Sequence, residues 1–483
     1  MFQKYSAKER LDLDERTDGM VGCEDWQSLR NLLYTPNEEN WARLCDLFAS
    51  WTRGAGLDLA LSYAREHLSH WPAILCRSVP SWKDALLGEE PLHPLWPFVK
   101  MLDLGGCHVT DAELNALIQY TDLSQLHYLD LSDNLLTRDG PRYLSSVYAV
   151  DLPELRYLNL NSHHSAPANR IGTAGLQELL RHPMMTRLTH LYLYNNDIGD
   201  VGIRGLLGSP RIANLTHLNL GANAVGRLSA SVLAHAPHLS KLTHLNLSQT
   251  FIGTQGAVTI ANSPHLRALR SLDLHASRIS AAGAEAIAQS AHLTKLEKLS
   301  LCSNPLSEKG AVALSQASHL VGLQELRLGS TQLSNHGLQA LAQSPWLQGV
   351  RVLWLPNNDL DDRGLLSLIQ SPFLRKVEVL GLAHNRLSAD GVMALLSSSL
   401  GARLRSLDLM GNQLGDEGAM RLRAFEPLPK LRRLDLRARS RVHLRGRCHL
   451  RWFCWHLYCW HLRCCPISSS SISSSSSSSS SIS

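Results

Sequence analysis

Leucines recur along most of this chain at a fixed spacing. The pattern Leu-x-x-Leu-x-Leu-x-x-Asn-x-Ile that begins at Leu188 returns at Leu215, and the same register then recurs every 27 residues as far as Leu431. Two earlier units, which begin at Val99 and Leu126, have the same spacing. Alternating leucines are typical of a short strand, in which successive side chains point to opposite faces. The period therefore predicts a stack of similar, strand-containing units.

Each unit continues with residues that predict a bend and then a helix. The residue at the bend is an asparagine in several units, namely Asn134, Asn196, Asn223, Asn304, Asn358, Asn385 and Asn412. An amide at this point can donate to and accept from the backbone of the bend. Cys107, Thr250, Ser277 and Thr331 replace it in other units, where we expect slightly weaker bends. A glycine at a fixed offset then opens a helical stretch, which in four units ends at a Ser-Pro pair.

The chain divides into three parts by this pattern. Residues 98–436 carry the repeats, with a six-residue surplus between Leu160 and Asn169 that predicts a bulging loop. Residues 1–97 lack the period but have helical apolar spacing around Trp41, with Asn37 placed to start a helix. We expect them to form a helical cap over the open end of the first unit, and a separate binding or enzymatic module is the alternative. Residues 437–483 are rich in Arg, Cys and Trp and then almost pure Ser, which predicts disorder.

The repeats resemble a known class. A strand and an α-helix within 27 residues, with helix sequences such as GLQALA at 337–342, resemble the ribonuclease-inhibitor class of leucine-rich repeats across residues 98–436. The resemblance implies an α/β solenoid of about 12 or 13 units, bent into a horseshoe. Its parallel sheet would line the concave face and its helices the convex face. The resemblance also implies that the concave face binds another protein.

A second resemblance concerns the N-terminal part. The run from Leu29 to Leu44, with Pro36, Glu39 and Trp41 at fixed places, resembles a small helical module that accompanies leucine-rich repeats in some bacterial proteins. It implies a bacterial source. Leucine-rich repeats of this class also occur in GTPase activators and in substrate-recognition arms of ubiquitin ligases. A regulatory or effector role through the N-terminal helices is therefore an alternative to simple partner binding.

Charge and cysteine usage narrow the class of partner. The chain has 47 Lys and Arg against 42 Asp and Glu, but seven of the arginines follow Leu436, which leaves 40 against 42 in the rest. A nearly neutral body gives no electrostatic reason to expect nucleic acid or a membrane surface as partner. The polar N-terminus lacks a signal-peptide core, and the cysteines before the tail show no pairing pattern. We therefore expect a cytoplasmic protein. We also expect it to be a monomer.

Residues between the strand leucines should face outwards, and one group of them is rich in aromatic rings. Exposed rings with a polar tip are typical of interface hot spots. The candidate partner-binding residues are Tyr128, Tyr157, His190, Tyr192, Tyr194, His217, His244, Arg327 and Trp354. The alternative is that the three Leu-Thr-His-Leu segments record recent duplication and the surface has no special role. Parallel histidines in one column do not converge as metal ligands must, so we predict no metal site.

Enzymatic motifs are missing from the sequence. It contains no phosphate-binding GxxxxGK[ST] loop, no GxSxG elbow, no HExxH helix and no paired CxxC motifs. The sequence thus predicts a non-enzymatic protein-interaction scaffold without a cofactor, and it does not identify the partner.

Overall fold

Thirteen short strands form one parallel sheet in the order of the chain. The computed structural model describes residues 24–437 except 52–54, 79–81, 83–84, 87–91, 145–151, 164–167 and 425–429. The strands are β1 Met101–Asp103, β2 Tyr128–Asp130, β3 Tyr157–Asn159, β4 His190–Tyr192, β5 His217–Asn219, β6 His244–Asn246, β7 Ser271–Asp273, β8 Lys298–Ser300, β9 Glu325–Arg327, β10 Val352–Trp354, β11 Val379–Gly381, β12 Ser406–Asp408 and β13 Arg433–Asp435. Neighbouring strands pair residue for residue at the repeat positions, so each column of side chains predicted from the period is a real column on the sheet.

Helices alternate with the strands. Those described are α1 Glu24–Leu33, α2 Glu38–Ser50, α3 Ala55–Leu68, α4 Asp111–Tyr120, α5 Gly140–Leu144, α6 Gly172–Arg181, α7 Asp200–Leu207, α8 Arg227–Ala234, α9 Gly253–Ala261, α10 Ala281–Ala288, α11 Ser307–Ser315, α12 Ser334–Ala342, α13 Asp362–Ile369, α14 Ala389–Leu396 and α15 Gly415–Ala424. Short 3-10 turns such as Pro210–Ile212 and Pro345–Gly349, which follow Ser209 and Ser344, lead from a helix to the next strand. The Ser-Pro pairs therefore end helices as predicted.

The pattern leucines lie between the sheet and the helices. From Leu102 to Leu409 they are buried, and they form one continuous apolar cluster along the stack. Strands lie about 4.8 Å apart, whereas packed helices need about 8–10 Å. Because the helix side of each unit is wider than the strand side, the stack curves towards the strands. The expected α/β solenoid, with strands on the inner face and helices on the outer, is confirmed.

Buried asparagines link each unit to the one before it. Asn304 is an example: its amide accepts from the backbone N–H groups of Ser277 and Ile279 at 3.0 and 2.9 Å. It donates to the carbonyl of Leu274 in the preceding unit at 2.8 Å and to Leu301 in its own unit at 3.0 Å. The predicted donor and acceptor roles are thus confirmed. The accepted bonds also cross between units, so the asparagines hold the stack together as well as shaping each bend.

A threonine at this position changes the bend of the preceding unit. Thr331 takes this position in the unit that follows Asn304. In the unit of Asn304, the N–H of Leu306 therefore donates to the carbonyl of Asn304 at 2.8 Å. The N–H of Val225 likewise bonds to Asn223, one unit before Thr250. A hydroxyl cannot reach the two N–H groups that an amide oxygen accepts, so the bend closes on itself.

Small residues allow the helices to approach one another closely. A Cβ added to Gly337 in α12 would lie 2.9 Å from the Cβ of Ala311 in α11, which is too close for two carbon atoms. The Gly-rich helix starts of the repeat are therefore a packing requirement on the outer face.

The N-terminal helices pack onto the first unit. Asn37 caps α2 by accepting from the N–H of Asn40 at 2.7 Å, as its position predicted. The indole N–H of Trp41 donates to the carbonyl of Arg77 at 2.8 Å, and Arg77 forms a parallel bridge to Met101 in β1. The edge of the sheet is thus covered by this segment, and its tryptophans belong to the same apolar cluster as the repeats. These contacts fit the predicted helical cap.

Two predictions concern residues that the structure does not describe. The predicted disordered tail, apart from Arg437, and residues 164–167 of the predicted loop lie outside the described residues. Within the described part of the chain, no helix is both long enough and apolar enough to span a membrane.

Candidate functional site

Five aromatic rings form a continuous stack across five neighbouring strands of the inner face. They belong to Tyr128, Tyr157, His190, His217 and His244, which we call the ring strip, and all five side chains are half-buried. The two tyrosine rings stack with centroids 3.9 Å apart, and the neighbouring histidine rings with centroids 4.0 and 3.9 Å apart. Tyr157 joins the two groups at 5.4 Å from His190. The parallel register places one ring on every strand, so the five rings form a continuous row that is stacked within each group and tilted by 34° between Tyr157 and His190.

Threonines fix the orientation of the three histidine rings. The pairs are Thr189–His190, Thr216–His217 and Thr243–His244. In each pair the threonine Oγ1 lies 2.9 Å from the histidine Nδ1. The same hydroxyl donates to a carbonyl of the preceding unit at 2.9–3.1 Å. Since a hydroxyl has one proton, both hydrogen bonds form together only if Nδ1–H donates to Oγ1. Each neutral ring therefore carries its proton on Nδ1 and presents Nε2 as an acceptor.

The surroundings of the strip keep the histidines neutral. Burial, and after it the charge of other histidines of the strip, lowers the pKa of His190 to about 4 and that of His217 to about 3. The pKa of His244 is lowered by burial first and then by the positive charge of Lys298. Near neutral pH the strip is thus an uncharged row of rings with three outward acceptors. In the described residues, no protein group donates a hydrogen bond to these Nε2 atoms.

This arrangement predicts a measurable tautomer and pH response. In 15N NMR at pH 7, His190, His217 and His244 should all show protonated Nδ1, and His190 and His217 should remain neutral at pH 5. Thr216→Val removes the acceptor for one ring and should weaken this preference at His217 alone. A protonated Nε2 in the wild type would contradict the assignment.

The lowered histidine pKa values also predict how stability depends on pH. The folded pKa values of His190 and His217 lie below the unfolded value of 6.5, so the unfolded chain binds more protons in this range. The free energy of unfolding should therefore fall as the pH is lowered from about 6.5 towards 4.

The other two predicted tyrosines have different positions. The Tyr192 ring lies beside the strip, 5.0 Å from Tyr157, and is half-buried. Tyr194 is only 7 % exposed, so the exposure expected from its outward position is wrong. Its ring stacks on His163 at 5.8 Å and lies over Gly221, where an added Cβ would be 2.7 Å from the ring. Because Gly221 has no side chain, Tyr194 folds down onto the next unit instead of pointing outwards.

Arg327 and Trp354 form a separate pair further along the sheet. They are in register on β9 and β10, and β7 and β8 lie between them and the strip. The Arg327 guanidinium contacts the carboxylate of Glu325 in its own strand. The Trp354 ring lies across Gly381 of β11, where any side chain would overlap it. The structure therefore brings together six of the nine predicted residues, buries Tyr194 and places Arg327 and Trp354 apart.

Sequence reasoning missed the residues that support the strip. Asp130 is buried and accepts from the hydroxyl of Tyr128 at 3.0 Å and from the amide of Asn159 at 2.8 Å. The three threonines were also passed over, although their signal was present in the repeated Leu-Thr-His-Leu segment. Each of these groups holds a ring in place, so the strip is more ordered than an ordinary surface.

Chemically reactive arrangements are not found near the strip. Among the described residues, no group of three or more His, Cys, Asp or Glu is placed to hold a metal ion. Burial raises the pKa of Cys302, on the same face, to about 11, so its thiol stays protonated at neutral pH and is a poor nucleophile. The face offers shape, ring surfaces and hydrogen-bond acceptors.

Comparison with known proteins gives one family match and several similar folds. A family model described as Leucine Rich repeat matches residues 185–207, 238–261 and 404–422. An internalin from Listeria monocytogenes is 19% identical over 71% of this chain and 88% of its own, with a TM-score of 0.42. A chain of the yeast Rad7 and Elc1 complex is 14% identical over 89% and 98%, with a TM-score of 0.43. A chain of the mouse RP105/MD-1 complex is 19% identical over 71% and 46%, with a TM-score of 0.32.

No curated protein sequence matches the chain. The ribonuclease-inhibitor-like subclass and the N-terminal bacterial module stay predictions. The 27-residue period, the parallel sheet in chain order and the family match agree with one another. The chain has the α/β solenoid fold of leucine-rich repeats.

Proposed function

We propose that this protein is a non-enzymatic scaffold that binds a protein partner on its inner, strand-lined face, with the ring strip at the centre of the contact. Leucine-rich-repeat domains are generally protein-interaction scaffolds. The observation that carries the proposal is the ordered row of five half-buried rings on consecutive strands.

The strip has the physical properties of a binding hot spot. Aromatic rings contribute large contact areas, and a ring that is already stacked loses little further freedom when a partner covers it. The partner has to supply hydrogen-bond donors, because a buried Nε2 without a donor would cost free energy. Duplication alone would explain the repeated histidines, but it does not explain Tyr128 and Tyr157, which extend the same stack from units of different sequence.

The alternative role through the N-terminal helices lacks a comparable surface. Trp26, Trp41 and Trp71 are buried in the shared core, so these rings stabilise the cap and are not offered to a partner. Among the Phe, Tyr and Trp residues of α1–α3 and their described turns, Tyr34 alone is strongly exposed. We therefore favour the strand face over a GTPase-activating or ubiquitin-ligase role.

A cytoplasmic location and a monomeric state are parts of the same proposal. The location is inferred from the body cysteines, which show no pairing pattern. The partner is identified by its chemistry alone: a protein surface with apolar groups for the rings and donors for the three Nε2 atoms.

A quantitative pull-down from the cells that express the protein tests the proposal. The full-length wild type is compared with a variant carrying Tyr157→Ala and His217→Ala, and with a control carrying His336→Ala on the exposed part of α12. We expect the strip variant to lose at least tenfold in affinity for a specific partner, which corresponds to about 1.4 kcal/mol. The control should bind like the wild type. Equal binding by the two variants, both shown to be folded by their melting curves, would contradict the proposal.

A further inference from the structure

A cleft of about 390 Å³ opens on the rim of the solenoid, beside the ring strip. It is formed by the segments that lead into β3, β4, β5 and β6, so four consecutive units contribute to it. Three of its lining residues are cationic, namely Arg156, Arg187 and Lys241, and the others are polar and uncharged. No described acidic residue lines it. The body of the chain is otherwise nearly balanced in charge, so this local excess of positive charge is unusual for the molecule.

Hydrogen bonds hold two of the cations in place. The Lys241 ammonium donates to the side-chain oxygen of Asn214 at 2.7 Å, and the amide of Asn214 donates in turn to the carbonyl of Thr186 at 2.7 Å. The side chains of Lys241 and Asn214 therefore extend across the rim towards the preceding units. The Arg156 guanidinium donates to the carbonyls of Pro153 and Leu155 at 3.1 and 3.2 Å. Its remaining partner is Glu154 at 3.3 Å, which does not line the cleft.

These bonds leave donors available to a ligand. An ammonium has three N–H donors and Lys241 uses one of them on Asn214, while a guanidinium has five and Arg156 uses three. A group that accepts several hydrogen bonds and carries negative charge would satisfy them best. Carboxylate and phosphate oxygens have this chemistry.

The cleft is connected to the ring strip through shared residues. Thr189 and Thr216 line it, and the same hydroxyls accept from Nδ1 of His190 and His217. A partner segment that covered the two histidine rings would thus lie next to the cleft. One negatively charged side chain of that segment could then contact the cations of the cleft.

We propose that this cleft is an anion-binding site that receives a carboxylate or phosphate group of the partner segment lying on the ring strip. The partner part of this inference rests on the proposed function, whereas the anion site is tested on the protein alone. An anionic anchor at the rim would also select against partners with a basic residue at that point, because like charges would meet there.

Threonine-methyl NMR of the full-length protein tests the site with inorganic phosphate and, in a separate titration, with succinate. The ionic strength is held constant with sodium chloride. We expect saturable shifts of the Thr186, Thr189 and Thr216 methyl signals, with a Kd of roughly millimolar order. Lys241→Gln and Arg156→Gln should each weaken binding at least threefold, while Lys309→Gln on the exposed surface of α11 should leave it unchanged.

The outcomes separate this inference from the proposed function. Succinate binding supports an acidic side chain as the anchor, and binding of phosphate alone supports a phosphorylated residue. Shifts that do not saturate, or that persist unchanged in Lys241→Gln, would overturn the site while the ring-strip proposal still stood. If Tyr157→Ala with His217→Ala leaves both anion binding and partner binding unchanged, the proposed function is overturned while the anion site stands.

Discussion

Replacing Trp41 by alanine is expected to destabilise the N-terminal end of the solenoid by about 3–5 kcal/mol. Its side chain is only 2 % exposed, and its ring lies 6.4 Å from that of Trp71. The substitution removes the largest buried side chain of α2 and leaves a cavity. It also removes the donor to the carbonyl of Arg77, the residue that bridges to β1. The loss should therefore spread from the cap into the first strand.

Hydrogen exchange combined with urea unfolding measures this effect. Amide protection should fall in α2 and in β1, and change least in distant units such as that of β10, because repeats are coupled mainly to their neighbours. Tyr34→Ala is the matched control, since that ring is 65 % exposed and its removal should cost only a few tenths of a kcal/mol. Similar unfolding curves for the two variants would show that the helices are not an integral cap.

Asn304→Ala is the second change with a large expected effect, about 2–4 kcal/mol from lost hydrogen bonds and unsatisfied backbone groups. The alanine would leave the N–H groups of Ser277 and Ile279 without their acceptor in a buried place. It would also weaken the bend at Ser303, whose φ of 56° is unfavourable for a residue with a side chain. The substitution therefore removes hydrogen bonds that link two adjacent units.

Urea unfolding of Asn304→Ala beside Asn304→Thr gives the comparison. Thr331 shows what a threonine does at this position: its hydroxyl donates to Leu328 of its own unit at 2.8 Å. We therefore expect the threonine variant to lose roughly half as much free energy of unfolding as the alanine variant. If the threonine variant is as stable as the wild type, the bonds that cross between units contribute little and the asparagine has only a local role.

The fold was largely predictable because the same pattern predicts the strand, the bend and the helix in every unit. A single Leu-x-x-Leu-x-Leu segment is ambiguous, but its return at Leu215 and beyond fixes both the strand and its register. The roles of Asn304 and its equivalents followed from the same regularity. What the period could not show is that a threonine at one bend alters the bend before it, since that depends on which atoms a hydroxyl can reach in three dimensions.

The sequence predicted which side chains of the candidate site lie in the same column of the sheet. It predicted less well how exposed each of them is. Register alone places His190, His217 and His244 side by side. Exposure is not fixed by register, however: Tyr194 is covered because its neighbour at the next unit is Gly221. The rim cleft was not predicted, because it depends on the direction in which long side chains such as Lys241 lean.

The measurement that tests the central claim most directly is site-specific photo-cross-linking of the full-length protein in the cells that express it. A photoreactive phenylalanine is placed at Tyr192 beside the ring strip, at Val201 on the outer helix of the same unit, or at Tyr34 near the N-terminal helices. Val201 is 63 % exposed, so it is at least as accessible as the strand-face position. We predict that one protein is cross-linked from Tyr192 and not from the other two. Cross-linking of the partner from Val201 or Tyr34, with none from Tyr192, would contradict binding on the strand face.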